Sequence, residues 1–358
     1  MNLDANDRFW SHCSRFYGLA PGLQVLPQHP NNQTGLCTSL SQKGLYNVCL
    51  GIRGQFWILE ETFSTDEACA AYLFGIRWPD GFVCPRRGCL EWWATRRGLC
   101  RCKRCDAQIS VTAGTIFEGT RKPLRLWFRA MWYVTDQKQG VSALGLQRAL
   151  GLGSYHTAWV WMHKLRRAMV RPGRDRLFGV VEVDETFIGG KRHGKCGRGA
   201  EGKSLVLVAA QEDADRIGRI RLCRVPNASR DSLEHAIGQV IEPGSRIRTD
   251  DWSGYGRLEG RGYKHEVIRA SEAVGENPLP LVNRVTALLK RWLLGTHQGA
   301  VRPSHLDYYL DEFTFRFNRR TSRSRGKLFY RLLQNAVLIA PVPAKNIRGH
   351  HNHNIEIL

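Results

Sequence analysis

The sequence predicts a multidomain α/β protein, and three observations carry that prediction. Apolar periodicity is helical between residues 121 and 172, then strand-like from Phe178, with helical spacing returning near the C-terminus. Five cysteines, Cys84, Cys89, Cys100, Cys102 and Cys105, crowd into one short stretch that shows neither period. The 358 residues, 42% hydrophobic and 24% charged, are enough for two or three domains with a sizeable core.

Residues 1–60 read as a poorly ordered extension, because up to about residue 55 they mix Pro, Gly, Asn and Gln without a sustained apolar face. From FSTDEACAAYLFGIR the chain becomes regular. Thr65 can cap a short helix carrying Ala68, Ala71, Tyr72 and Phe74. C-P-R-R-G-C at 84–89 and C-K-R-C at 102–105 then have the spacing of two knuckles. Such knuckles bring four thiolates, here Cys84, Cys89, Cys102 and Cys105, to one tetrahedral zinc ion. Arg86, Arg87, Lys103 and Arg104 lie inside the knuckles, where a zinc–thiolate centre needs compensating positive charge. Free cysteines packed as small hydrophobes are the plainer alternative, and Cys100 could replace a neighbour as ligand. Residues 61–120 are therefore expected to form a short helix and a zinc ribbon.

Pro123 opens the next helix, in which Leu124, Trp127, Phe128 and Met131 repeat at helical spacing. VSALGLQRALG, the turn Gly151-Leu152-Gly153 and SYHTAWVWMHKLRRAM follow as two short helices, with Ser142 and Ser154 at the cap positions. This is a helix-turn-helix pattern over 121–172. Its second helix offers Tyr155, His156, Thr157, Lys164, Arg166 and Arg167 as DNA contacts. A helical hairpin with a solvated basic face would give the same pattern.

FGVVEVDETFIG, KSLVLVAAQE and IGRIRLCRV read as strands, SLEHAIGQVI as an amphipathic helix, and SRIRTD and KHEVIR as two more strands. NRVTALLKRWLLG and SHLDYYLDEFTFRFNRR read as helices. That order makes an α/β domain, placed at 173–335, with 336–358 as a tail. Asp184 sits in the first strand and Asp250 at the end of the fourth. Carboxylates from neighbouring strands can converge on divalent cations, which clamp the attacking and leaving oxygens of a phosphoryl displacement. Lone strand-end aspartates are common and mean little singly. The last helix stacks Tyr309, Phe313 and Phe317 towards a core, leaving Arg316, Asn318, Arg319 and Arg320 for DNA or for packing. Gly189-Gly190 before Lys191 suggests a tight turn, since no phosphate-loop pattern follows. His350, His351 and His353 lie in a tail expected to be disordered.

Lys and Arg number 53 against 32 acidic residues, a formal charge of +21. Residues 81–178 alone hold 19 basic and 5 acidic side chains, net +14, whereas residues 1–60 net only +1. The expected partner is a polyanion, nucleic acid first. No run of about 18 apolar residues exists. MNLDANDRFW also lacks the positive region and apolar run of a secretory signal, so neither membrane association nor export is expected. Clustered cysteines fit a reducing compartment better than a disulfide scaffold.

RWPDGFVCP, SVTAGTIF, PLRLWFRAMW, VEVDETFIGGKR, TDDWSGY, VNRVTALLKRWLLGTHQGAV and YLDEFTFRFNRR together resemble bacterial insertion-sequence transposases. These are the type with an amino-terminal zinc ribbon and an RNase H-like catalytic domain, and the resemblance runs from about residue 62 to 335. It implies an RNase H-like mixed sheet with flanking helices. It also implies a reaction in which activated water cleaves a phosphodiester at the element ends and the freed 3′ hydroxyl attacks target DNA. Asp184, in VEVDET, matches the first catalytic carboxylate, and Asp250, in TDDW, the second, in preference to Asp251. Many relatives carry a third glutamate seven places before a lysine. Here Asn283 precedes Lys290, as in an asparagine-bearing branch of the family.

Asparagine offers a metal a carbonyl oxygen without charge, so one ion would be held more weakly. Glu185 or Glu182 could assist electrostatically. Seven residues make nearly two helical turns, so Lys290 shares a face with Asn283 and can reach a DNA phosphate. The resemblance further implies Mg²⁺ or Mn²⁺ at Asp184, Asp250 and Asn283, beside a structural Zn²⁺. Implied partners are the double-stranded terminal repeats, target DNA and further copies of the chain in a synaptic complex. Localisation is expected to be cytoplasmic and nucleoid-associated. Relatives often carry a histidine where His265 stands. The alternatives are a non-catalytic DNA-binding regulator and an inactivated relic. A serine or tyrosine recombinase pattern is absent.

Overall fold

The computed structural model describes residues 42–51, 56–171, 173–189, 203–214, 216–269, 271, 277–299 and 301–348. In chain order the elements begin with α1 (Gln42–Gly51), α2 (Phe56–Thr62), α3 (Asp66–Arg77), β1 (Trp92–Ala94), β2 (Cys100–Cys102) and β3 (Gln108–Ile109). Next come α4 (Leu124–Asp136), α5 (Ala143–Leu150) and α6 (Tyr155–Ala168). Then follow β4 (Val180–Ile188), β5 (Ser204–Asp213), β6 (Arg216–Val225), α7 (Arg230–Val240), β7 (Arg246–Thr249) and β8 (Lys264–Val267). The last helices are α8 (Pro280–His297), α9 (Leu306–Phe317), α10 (Arg325–Leu338) and α11 (Ala344–Arg348). These fall into two compact units, the first reaching to Ala168 and taking back Ser322–Ile347, the second spanning Met169–Thr321.

In the first unit the expected signals work locally. The Thr65 hydroxyl accepts the Ala68 N–H at 3.1 Å and starts α3, whose first turn carries Asp66 and Glu67 at the positive end of the helix dipole. Ser142 caps α5 through the Gly145 N–H at 3.0 Å, and α5 ends at Gly151, whose φ of 62° is the left-handed stop that glycine tolerates. Ser154 stands at the first position before α6, its carbonyl accepting from Ala158. The core is aromatic: Phe63 meets Phe128 at 4.7 Å, Phe128 meets Phe329 at 5.7 Å, and Trp127 stacks on Trp161 at 3.8 Å.

Phe329 belongs to α10, so the expected boundaries need correction. Residues 322–335 group with the N-terminal helices, and α10 runs on to Leu338 inside what was read as a tail. In that tail Val342 and Ile347 also pack with Val160. The expected disorder up to residue 60 is likewise too broad. α1 buries Leu45 completely, and the Tyr72 hydroxyl donates to the Leu45 carbonyl at 2.6 Å. A ten-residue helix is marginal alone; α1 is held by partners distant in sequence, which local pattern does not reveal.

The second unit is built on a five-stranded sheet of order β6-β5-β4-β7-β8. β5 runs antiparallel to both β4 and β6, while β7 runs parallel to β4 and β8 parallel to β7. β5 is buried continuously from Leu205 to Ala210, as a strand covered on both faces must be. One face packs Val181, Val183, Leu207 and Ile247 against Leu233, Ile237 and Val240 of α7. The other packs Val206, Val208 and Ile220 against Val282, Val285 and Leu289 of α8 and Tyr309, Phe313 and Phe317 of α9. The inward stack foreseen for α9 is therefore present.

Candidate metal and nucleic-acid sites

The strands decide which carboxylates can meet. β4 and β7 pair in parallel with Val181 opposite Ile247 and Glu182 opposite Arg248. Continuing that register two residues brings Asp250, just past the end of β7, level with Asp184. Side chains alternate along a strand, and Val181, Val183 and Ile247 face α7. Glu182, Asp184 and Arg248 therefore face the α8 side, and Asp250 follows directly on the end of β7. Tyr255 senses both: burial and Glu185 push its phenol well above the ordinary range, and the charges of Asp184 and Asp250 add to the effect. Two hard carboxylates at one level on adjacent strands are a donor set suited to a divalent cation.

Neighbouring groups hold this arrangement in place. The Glu185 N–H donates to Asp184 Oδ1 at 2.8 Å, and the Trp252 N–H donates to Asp250 Oδ1 at 3.2 Å. Glu185 itself points the other way and accepts the Tyr255 hydroxyl at 2.5 Å. His265, of unassigned role in the sequence, bonds through Nε2 to the Thr249 hydroxyl at 2.8 Å, which in turn donates to the Asp250 carbonyl at 2.8 Å. Burial holds the His265 pKa below its ordinary value, so the imidazole is neutral at pH 7 and serves as a hydrogen-bonding prop.

Asn283 and Lys290 are both exposed on α8, and Asn283 Nδ2 donates to Asn277 Oδ1 at 2.6 Å. Glu182 is 3% exposed, and its Oε2 accepts the N–H groups of Leu281 at 2.7 Å and Val282 at 3.0 Å. The sequence reading cast Glu182 and Glu185 as electrostatic helpers. Glu182 is committed to the start of α8, and Glu185 to Tyr255. Period-two alternation in VEVDET was the signal that separates their faces.

In the ribbon the thiol sulfurs of Cys84, Cys102 and Cys105 all lie within 4.8 Å of one another, with Cys84 and Cys105 at 3.6 Å. Sulfurs on one tetrahedral zinc sit about 3.8 Å apart at ordinary Zn–S lengths, so this trio fits structural Zn²⁺. Burial works to raise the Cys102 thiol, but the Cys105 and Arg104 N–H groups and the Cys105 and Cys84 thiols outweigh it and bring it to about 7. Cys89 closes the first knuckle, its carbonyl accepting the Cys84 N–H at 2.9 Å, while its sulfur lies 3.7 Å from the Glu91 carbonyl. Cys100 is a buried member of the ribbon core outside the trio.

The DNA contacts expected on α6 separate by exposure. Tyr155 and His156 are exposed and Thr157 is half-buried, at the helix start. Lys164 is half-buried with Nζ 3.3 Å from the Ile116 carbonyl, Arg167 is half-buried, and Arg166 is 2% exposed. Arg166 is thus a core residue, a correction to its expected role, because its helical position turns it inward beside Leu165. At the α9 end, which the sequence leaves open between DNA contact and packing, several side chains make packing contacts. Asn318 bonds both backbone groups of Ile220, Arg320 bonds the Gly218 and Ile217 carbonyls, and Arg316 pairs with buried Glu312. Arg319 stacks on Phe315 and donates to its carbonyl. Sequence reasoning passed over Arg96 and Arg97, both exposed at the tip of the β1–β2 hairpin, where Gly98 turns with φ 72°. Their sequence signal is a basic pair beside glycine between two strand-like runs. Gly190, Lys191, His350, His351 and His353 lie outside the described residues.

Two segments of the chain match known families. Residues 176–318 match the ISXO2-like transposase domain, and residues 64–108 match the transposase zinc-ribbon domain. The chain is also 27% identical over 292 residues to an uncharacterized protein in transposable element ISH50 of Halobacterium salinarum, covering 75% of this chain and 95% of that protein. Residues 64–108 and 176–318, then, are similar to the zinc ribbon and the ISXO2-like domain of transposases.

Proposed function

We propose that the chain binds the ends of its mobile element and catalyses divalent-metal-dependent strand cleavage and strand transfer into target DNA. What supports this reading is the parallel pairing of β4, which carries Asp184, with β7, which Asp250 directly follows. The order β6-β5-β4-β7-β8, antiparallel then parallel, supports an RNase H-like assignment. In this reading Asp184 and Asp250 bind Mg²⁺ or Mn²⁺, and Asn283 contributes a neutral oxygen. A divalent cation held there supplies Lewis acidity and charge neutralisation at the scissile phosphate. Glu185 and Trp252 orient the two aspartates through their N–H groups. Lys290, exposed two turns beyond Asn283, offers a cation to the DNA backbone.

Terminal-repeat binding falls to α5, the Gly151 turn and α6 as a helix-turn-helix, with Tyr155, His156 and Thr157 leading. The ribbon adds exposed Arg86, Arg87, Arg96, Arg97, Lys103 and Arg104 for phosphates. Holding two ends at once implies more than one copy of the chain, acting among nucleoid DNA in the cytoplasm. An inactivated relic is the second reading, and Asn283 in place of a carboxylate favours it. Incubating purified protein with element ends and Mg²⁺, then mapping nicked 3′ termini, tests the proposal. Nicking should occur at the element boundary and vanish in Asp184→Ala and Asp250→Ala; a wild-type protein without it, or an aspartate variant that keeps it, overturns the proposal.

A further inference from the structure

Resting on that reading, we propose that Glu182 is a positioning residue whose carboxylate clamps the start of α8 onto β4 and thereby sets where Asn283 stands relative to Asp184. α8 opens with Pro280, which has no N–H, and its first turn contains no acidic residue and no side-chain cap. The next two N–H groups, of Leu281 and Val282, both go to Glu182 Oε2 at 2.7 and 3.0 Å. The one after, of Asn283, bonds the Leu279 carbonyl at 3.1 Å. A carboxylate 3% exposed is costly unless paired, and the partly positive end of a helix is an adequate partner.

What separates this from an ordinary cap is its place in the chain. Capping is normally done by a Ser, Thr, Asp or Asn immediately before the helix. Here the cap comes from a strand about a hundred residues earlier. Asp184 lies two residues after Glu182, on the same face of β4 by alternation, and Asn283 lies one residue after Val282. The clamp is therefore a short covalent-plus-hydrogen-bond path between the two oxygen donors. The apolar contacts of Val282, Val285 and Leu289 with Val206 and Val208 hold α8 on the sheet. They leave sliding along the helix axis less constrained than a pair of directed hydrogen bonds does.

The test uses full-length protein and Mn²⁺ alone, with two readouts independent of catalysis: Mn²⁺ affinity by spin-resonance titration, and amide exchange of the peptide covering residues 279–286. Glu182→Ala should accelerate exchange at the start of α8 and weaken Mn²⁺ binding by about tenfold, the usual scale for removing a group that orients metal ligands. Glu182→Gln, which keeps one acceptor oxygen and the side-chain shape, should fall between wild type and Glu182→Ala; it carries the test if the alanine protein does not fold. Wild-type Mn²⁺ affinity in Glu182→Ala, or in Glu182→Gln if only that protein folds, would overturn the proposal. Asp184→Asn should lose Mn²⁺ binding with exchange at 279–286 unchanged. Retained binding in Asp184→Asn, or none in wild type, would sink the parent function and this inference with it.

Discussion

Asn318 is where DNA contact and packing make opposite predictions. β6 is an edge strand, and its Ile220 is fully buried, yet among the described residues no strand neighbours its open side. The Asn318 amide replaces that strand, with Oδ1 accepting the Ile220 N–H at 2.8 Å and Nδ2 donating to the Ile220 carbonyl at 3.1 Å. Asn318→Ala strands both groups. A buried unsatisfied donor or acceptor costs about 1–3 kcal/mol, so the pair should cost about 3 kcal/mol once some water access is allowed. For a unit of this size that is a fall in melting temperature of about 6–12 °C. Asn318→Asp keeps the acceptor but loses the donor, so it should recover only part of the loss. Calorimetry of the purified variants, with binding of a terminal-repeat duplex at fixed salt, reads both effects. A melting temperature within about 2 °C of wild type together with weakened DNA binding would refute the packing role.

One zinc per chain should be lost in Cys84→Ser, Cys102→Ser or Cys105→Ser and retained in Cys100→Ser, by metal analysis; loss in Cys100→Ser would relocate the site. Removing both Arg96 and Arg97 should reduce the slope of log affinity against log salt by about 2, whereas Arg166→Ala should lower stability and leave the slope intact, by anisotropy titration. The reverse pattern would return the phosphate contacts to α6. Burial, reinforced by Asp66, raises the Cys69 thiol far above its ordinary value, so the thiolate is scarce at pH 8 in the folded protein. Iodoacetamide should label Cys69 only after unfolding; rapid native labelling would contradict its burial.

Much of the second unit is legible because its signals are local. VEVDETFIG alternates and KSLVLVAAQE runs apolar, and both patterns correspond to strands, β5 buried continuously and β4 burying Glu182 and Thr186 as well as Val181 and Val183. Thr65 and Ser142 are legible as caps for the same reason. What escapes local reading depends on distant partners. α10 carries Phe329 at helical spacing, but nothing in its own residues says that Phe128 and not the sheet receives it. Arg166 looks like its neighbour Arg167 in sequence, and only the direction of the helix face buries one and leaves the other half-exposed. At the candidate site, strand position drew attention to Asp184 and Asp250, and the resemblance to the transposases matched them to its carboxylates. The commitments of Glu182 to Leu281 and Val282, and of His265 to Thr249, join residues far apart in the chain.

The most direct measurement is anomalous diffraction from crystals soaked in Mn²⁺. A peak within coordination distance of both the Asp184 and Asp250 carboxylates is the expected result. Manganese bound elsewhere, with those two side chains left unliganded, would contradict the claim that they form a shared metal site.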